Sequence, residues 1–507
     1  VIDAGLAQWL RAQRIPAWIT MSVPALFIMA TLTSGTSSAA AQLPSASPSG
    51  SPGSPVPNAT PEFQPAPPPR YQYLPDEENW KICLPAKRSN DVQDALKCIS
   101  LSGDRNQYLT VGADVRFKYE HFFNKDFDPS NSGYLLEREL LDADLHEDRF
   151  RAFFQLEHAT ATDQHAPIDA TWRDDFATTS AYLEYEIGGA TGAATPPLAV
   201  RIGRQLLAYG SERMIDDRSG LNAEMPFDGV RARIESGSWR TDVFAVRPVG
   251  TGSFGFDDLA DKTKALLGVY ATDRIGSQTI DLYTFEDQRQ SQFYYRGTGP
   301  EERFTFGARY ATSSAAFDSD TELDKQLGSF GGATIDAYAI ETNLGYDFGR
   351  NRNRFRLGVG GGIASGDHDP KSSLFTLFRA PYPTGLTFGI IEANGNENTS
   401  GFTPNLSYTY AKKVTLAVKD YFFYRQSAAD GVYSAPGYPL RAPEGATAAP
   451  LGNLGYVSVV DALDRHVSIY GAYARYLIGS FFDQAPESKV LPSQSTAYYN
   501  LWFDYKI

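Results

Sequence analysis

The chain is poor in the residues that usually staple or anchor an exported protein. Of 507 residues only two are cysteine and four methionine, so no dense disulfide framework holds it together. Beyond the first 41 residues no apolar run reaches the roughly 18 positions that a spanning helix needs. Mean hydropathy is −0.33, which excludes a bundle of membrane helices. Positive charge is also in deficit, with 46 Lys and Arg against 60 Asp and Glu and a net charge of −14. That balance argues against nucleic acid as a partner. The six histidines show no metal-ligand spacing beyond the pair His158 and His165. No Gly-x-Ser-x-Gly, Walker, His-Glu-x-x-His or Rossmann glycine pattern occurs. The expectation is therefore no enzyme, no metal and no cofactor. Asp367, His368 and Asp369 read as a solvated turn more readily than as a calcium site.

What the chain does have is aromatics, 29 Tyr and 31 Phe, set in alternation. The segment Tyr499–Ile507 shows it best. Tyr499, Leu501, Phe503, Tyr505 and Ile507 fall on one parity, with Asn500, Trp502, Asp504 and Lys506 between them. A strand sends alternate side chains to opposite faces. A greasy face of this kind suits the closing strand of a barrel in lipid. Modest mean hydropathy fits, because barrel strands mix polar and apolar residues.

In chain order, residues 1–41 read as a signal peptide. Arg11 and Arg14 precede the apolar stretch Ile15 to Leu32, and Ala39-Ala40-Ala41 supplies small residues for cleavage. Residues 42–75 are rich in Pro, Ser and Ala, a linker composition that cannot bury a core. A short periplasmic segment over 76–107 carries Cys83 and Cys98, candidates for one disulfide, with free thiols the alternative.

From 108 to 507 the expectation is all-β, a transmembrane antiparallel β-barrel. Val111, Ala113, Val115, Phe117 and Tyr119 share a face opposite Asp114, Arg116, Lys118 and Glu120. Seventeen such segments can be marked, about ten residues each and mostly separated by Gly, Asn, Asp or Ser. A bacterial barrel needs an even number of strands. The choice is 16 or 18, with Leu374 to Ala393 the expected place of a hidden strand. Gly366 to Thr403 and Ala428 to Gly455 read as long loops able to fold into the lumen.

Arginine recurs on the polar faces: Arg116, Arg138, Arg151, Arg201, Arg231, Arg233, Arg309, Arg356 and Arg425. Carboxylates such as Asp114, Asp144, Glu157 and Glu184 accompany them. A lumen so lined carries a local field, and the guanidinium fork suits carboxylates. Structural ion pairing across the lumen is the alternative. Arg204 falls on the parity of Leu198, Val200 and Ile202, so it faces the pore only if a bulge intervenes.

Taken together, these segments resemble the alginate export family of outer-membrane porins. The likeness opens at Asn79-Trp80 and Asp94-Ala95-Leu96-Lys97. It runs through Tyr108 to Arg116, Tyr119-Glu120, Asp148-Arg149-Phe150-Arg151 and Gln155-Leu156-Glu157. Gly203-Arg204-Gln205, Tyr209-Gly210 and Phe227-Asp228-Gly229-Val230-Arg231 follow. Ser365-Gly366-Asp367, Phe423-Tyr424-Arg425-Gln426 and Asp430-Gly431-Val432-Tyr433 come late in the chain. The resemblance implies a monomeric barrel of 18 strands in the bacterial outer membrane, with an electropositive constriction that passes an anionic polysaccharide outward. It assigns Arg116, Arg138, Arg151, Arg231 and Arg425, with Arg201 and Arg204, to the pore wall. A periplasmic biosynthetic complex would deliver the polymer. An uptake porin for small carboxylates or sugars is the competing expectation.

Overall fold

The computed structural model describes residues 71–72, 74–78, 80, 93–97, 99–102, 106–162, 171–188, 197–252, 254–314, 316–349, 353–385, 389–391, 393–435 and 437–507. The expected signal peptide, nearly all of the linker, and both Cys83 and Cys98 lie outside these residues.

Eighteen long strands follow one another. They are β1 (Gln107–Phe123), β2 (Asn131–Glu147), β3 (Phe150–Thr162), β4 (Asp174–Ile187), β5 (Leu198–Gln205) and β6 (Phe227–Ser236). Next come β7 (Trp239–Gly250), β8 (Lys264–Ile275), β9 (Gln278–Tyr294), β10 (Gly297–Ser313), β11 (Phe317–Phe330) and β12 (Ala333–Asp347). The last six are β13 (Arg354–Ala364), β14 (Thr399–Tyr410), β15 (Val414–Arg425), β16 (Pro450–Ala462), β17 (Val467–Ile478) and β18 (Thr496–Lys506). Each pairs antiparallel with its sequence neighbours, and β18 pairs with β1 from Asp114↔Lys506 to Phe123↔Ala497. The sheet is closed, so no edge is left unpaired.

Alternation sets the faces. On β18, Tyr499, Leu501 and Phe503 are exposed on the outside while Tyr498, Asn500 and Trp502 are buried inward. Phe117 and Tyr119 on β1 continue the outer apolar face. No helix among the described residues is long and apolar enough to cross a membrane; the strands do the crossing.

The eighteenth strand is β11, and it does not lie where the sequence suggested. Its inward face is Asp318, Asp320, Glu322, Asp324 and Gln326, and its outward face mixes Phe317, Leu323 and Leu327 with Ser319, Thr321 and Lys325. Such a stretch reads as a polar loop. Leu374 to Ala393 instead belongs to the loop 365–398, which turns into the barrel. Phe375, Leu377, Phe378 and Tyr382 are buried there against Phe244, Tyr270, Tyr283 and Phe285 of the inner wall.

Short turns such as 148–149, 237–238 and 276–277 lie on the side of the termini, and the long loops lie on the other. In barrels of this kind the short turns are periplasmic and the long loops extracellular. A second loop, 206–226, also folds inward. The expected strand over 197–209 therefore stops at Gln205, and Leu206, Leu207 and Tyr209 pack in the lumen instead. Gly210 makes the turn at φ 62°, where a Cβ would sit 2.1 Å from the Tyr270 hydroxyl, so only glycine fits. The two loops join inside the barrel: the Asp216 N–H donates to the Tyr382 carbonyl at 2.8 Å, and the Tyr382 N–H to the Met214 carbonyl at 3.0 Å.

Candidate functional site

The lumen has three charged levels. At the periplasmic mouth five guanidinium groups converge from β3, β5, β6 and β7: Arg151, Arg201, Arg231, Arg233 and Arg240. Wall carboxylates meet them: Asp144 takes two bonds from Arg151 at 2.8 and 2.6 Å, Glu184 lies 2.8 Å from Arg201, and Asp242 2.8 Å from Arg233. The chain's own N-terminal segment supplies two more. Asp76 and Glu77 stand on a 3-10 turn over Pro75–Glu77. Asp76 accepts from Arg201 at 2.5 Å and from the Tyr182 hydroxyl at 3.1 Å. Glu77 accepts from Arg233 at 2.9 Å and from Arg240 at 2.8 and 3.0 Å. Burial pushes both carboxyls up. Arg201, Arg231 and Arg151 nevertheless hold Asp76 below the usual carboxylate range, and Arg233, Arg240 and Arg231 hold Glu77 well below it.

At the waist, residues expected to face a ligand hold the loop 206–226 instead. The Ser219 carbonyl accepts from Arg116 at 2.6 Å and from Arg138 at 2.9 Å. Arg116 also meets Asp504 at 2.6 Å, and Arg138 lies 3.7 Å from Glu224. Glu157 takes the Glu224 backbone N–H on both oxygens, at 3.3 and 3.1 Å. Burial pushes the Glu224 carboxyl up to about 7, with Arg138 opposing. Across the lumen Arg309 grips Asp320 at 2.9 and 2.7 Å and Asp281 at 2.8 Å. Arg356 grips Asp318 at 2.8 and 2.6 Å. The acidic face of β11 is thus the partner set for these arginines and for Arg213, which leaves the loop toward Glu322 and Glu341, each 3.1 Å away.

Above the waist a cavity of about 440 Å³ opens toward the extracellular loops. Its lining includes Lys118, Lys125, Arg218, Lys264 and Arg289, against Glu120, Asp126 and Asp261, with Phe122, Tyr134, Trp172, Tyr382 and Tyr438 between them. Lys125 sits 4.1 Å over the Trp172 ring. Among these cations only Lys118 stood out in the sequence, through its polar parity on β1. Lys125 and Arg218 sit on loops, Lys264 opens β8, and Arg289 stands beside a register shift in β9, places where alternation gives little signal.

One expected wall residue stands outside the lumen and another is committed to a loop. Arg204 keeps the outward parity of Ile202, because the register runs unbroken from Leu198↔Ile234 to Gln205↔Phe227 and no bulge turns it inward. It pairs outside with Asp228 at 2.8 and 3.0 Å. Arg425 points inward but donates to the carbonyls of Ala428, Asp430, Ala446 and Ala448 at 3.2, 3.0, 3.0 and 2.7 Å. It fastens the loop 426–449. Asp367 pairs with Arg296 at 3.2 Å, and no group of three or more metal-ligating side chains occurs among the described residues.

A closed barrel of eighteen strands, apolar outside and charged within, with loops folded into its lumen, is a porin of the bacterial outer membrane. Solved structures share that fold. OccK2 (OpdF) of Pseudomonas aeruginosa aligns at a TM-score of 0.53 and 9% identity, covering 79% of this chain and 97% of that one. The same protein in complex with glucuronate gives a TM-score of 0.52 at 9% identity, covering 79% and 98%. A BenF-like porin from Pseudomonas fluorescens Pf-5 gives 0.52 at 9%, also covering 79% and 98%. The chain belongs to the alginate export family, whose sequence model matches residues 107–491. No curated protein matches it.

Proposed function

We propose that this porin passes an acidic exopolysaccharide, an alginate-like polyuronate, from the periplasm to the cell exterior. The observation that carries the reading is the succession of cations along the lumen. It runs from Arg151, Arg201 and Arg231 at the periplasmic mouth, past Arg116, Arg138, Arg309 and Arg356 at the waist, to Lys118, Arg218 and Arg289 in the outer cavity. Guanidinium forks suit the carboxylate that each sugar of a polyuronate presents. Wall carboxylates such as Asp144 fix the guanidinium groups in place and temper the field, so that a polyanion is attracted without being trapped. Family membership supports the same cargo class. Movement is downhill, the barrel works as a monomer, and a periplasmic biosynthetic complex feeds it. No cofactor or nucleotide enters this scheme.

A second reading is uptake of small carboxylates or sugars, and it is favoured by OccK2, a barrel of the same fold whose structure is a complex with glucuronate. Planar-bilayer recording tests the first. The channel is expected to prefer anions and to be blocked by mannuronate oligomers, with Arg218→Ala reducing both properties. Cation preference without block would refute it. Loss of secreted polymer on gene deletion, against loss of growth on a uronate, separates export from uptake.

A further inference from the structure

The periplasmic mouth holds a site that the barrel alone leaves over-charged. Of its five arginines, Arg151, Arg201, Arg233 and Arg240 form ion pairs with three wall carboxylates, Asp144, Glu184 and Asp242, while Arg231 lies 4.0 Å from Asp76. Two positive charges are then unmatched, and Asp76 and Glu77 match them in number and position. Both carboxylates come from outside the barrel strands, on a single turn. The turn is further held where the Asp76 carbonyl accepts from Arg151 at 2.6 Å.

Even with both carboxylates seated, the pocket has donors to spare. The Nη2 atoms of Arg201 and Arg231 are buried without a hydrogen-bond partner among the described residues. A buried guanidinium nitrogen without an acceptor is costly, so the cluster has capacity for a further carboxylate oxygen. The segment reaches across the opening. Glu77 meets β7 on one side, while Arg465, in the turn before β17, meets Asp94 at 2.9 Å and lies over the Tyr71 ring. In a ring of eighteen strands β7 and β17 stand on opposite sides.

We propose that the arginine cluster at the periplasmic mouth is a binding subsite for adjacent carboxylates of a polyuronate, and that Asp76 and Glu77 are a tethered pseudo-ligand that closes it until the polymer arrives. The inference rests on the polyuronate reading of the channel. Two carboxylates on adjacent residues of one turn engage neighbouring guanidinium groups, as two carboxylates of one polyuronate would. A polymer arriving from the periplasm meets this site first, and its many carboxylates compete for the forks at high local concentration. Displacement then exchanges one set of charge-assisted hydrogen bonds for an equivalent one, so the segment leaves without exposing bare guanidinium groups.

The test uses the full chain in planar bilayers, comparing it with the double variant D76N/E77Q. Neither residue is in a barrel strand, and a heat-modifiable band on electrophoresis checks that the barrel has assembled. The variant is expected to open at least tenfold more often at rest, and mannuronate oligomers on the periplasmic side should block it at concentrations at least tenfold lower. Hydrogen exchange on the unmutated protein is the second measurement. Oligomers should speed exchange at residues 71–78 at least tenfold, and a neutral oligosaccharide should not. Equal opening and equal oligomer sensitivity in the two proteins would overturn the proposal. So would block of both without any change in exchange at 71–78, an outcome that leaves the polyuronate channel itself standing. If the variant opens but oligomers act on neither protein, the polyuronate reading fails, and with it the assignment of this subsite.

Discussion

Arg379, on the inward loop, donates to Glu301, on strand β10, at 2.9 Å through Nη2, and Arg303 donates to the same Glu301 oxygen at 2.7 Å. One wall carboxylate thus joins a loop cation to a wall cation, with all three side chains at most 3% exposed. Arg379 also pairs with Asp287, and the Leu377 carbonyl accepts from Arg303 at 2.8 Å. This knot holds the loop 365–398 inside the lumen.

Removing one partner of a buried ion pair typically costs about 3–5 kcal/mol, because a charge is left without its counterpart. Arg379→Met is expected to free the loop rather than unfold the barrel, since the strand ladder does not depend on it. Single-channel conductance should rise several-fold, and a protease should cut between 365 and 398. An unchanged conductance would mean that the loop does not limit flow.

The outer and inner faces of β18 should answer differently to charge. Phe503→Lys puts an ammonium group toward lipid, a change that costs about 2–4 kcal/mol at the bilayer midplane. Asp504→Asn keeps an inward polar group and leaves Arg116 its bond to the Ser219 carbonyl. The first variant should lower the yield of heat-modifiable barrel sharply, and the second should stay near the parent. Equal yields would reverse the face assignment.

Two carboxyls on the extracellular loops make the loop packing sensitive to alkali. Burial pushes Glu397 and Asp430 each up to about 7, although Asp430 accepts from the N–H groups of Asp367 and Gly431 and from the Tyr433 hydroxyl. With the folded value raised, the folded state binds the proton more tightly than the unfolded chain does. The stabilisation is complete below the ordinary carboxylate range and is lost as pH rises through about 7. Between pH 6 and 8.5 the protection of 393–398 and 427–435 against hydrogen exchange, relative to the intrinsic rate at each pH, should fall, and Glu397→Gln with Asp430→Asn should flatten that fall. Protection that falls toward acid would contradict this.

How much of this was legible beforehand depends on which neighbours a residue answers to. Strands β1 and β18 show themselves through Phe117, Tyr119, Leu501 and Phe503, because lipid imposes one requirement on every outward position. β11 hides because its inward face was chosen to match arginines on other strands and on a loop, and carboxylates in series look like a loop. Leu206, Leu207 and Tyr209 mislead for the opposite reason: an apolar run serves as well inside a plugged lumen as on a strand. The parity of Arg204 gave its outward direction correctly. That Arg116 and Arg138 would meet a single loop carbonyl at Ser219 was not readable, since it depends on how far one strand is sheared against the next. The pairing of Asp76 with arginines more than 70 residues away is hidden for the same reason.

The seam between β1 and β18 has a consequence for biogenesis. The first strand must wait, its backbone N–H and C=O groups unpaired, until the last has been made and brought to it across nearly the whole sequence. Contacts between such distant partners form slowly, and for that interval the nascent molecule is an open sheet with two adhesive borders. Loss of β18 alone would therefore produce a sheet with permanent borders rather than a slightly shorter pore. Such a species is fit for aggregation or proteolysis and not for the bilayer.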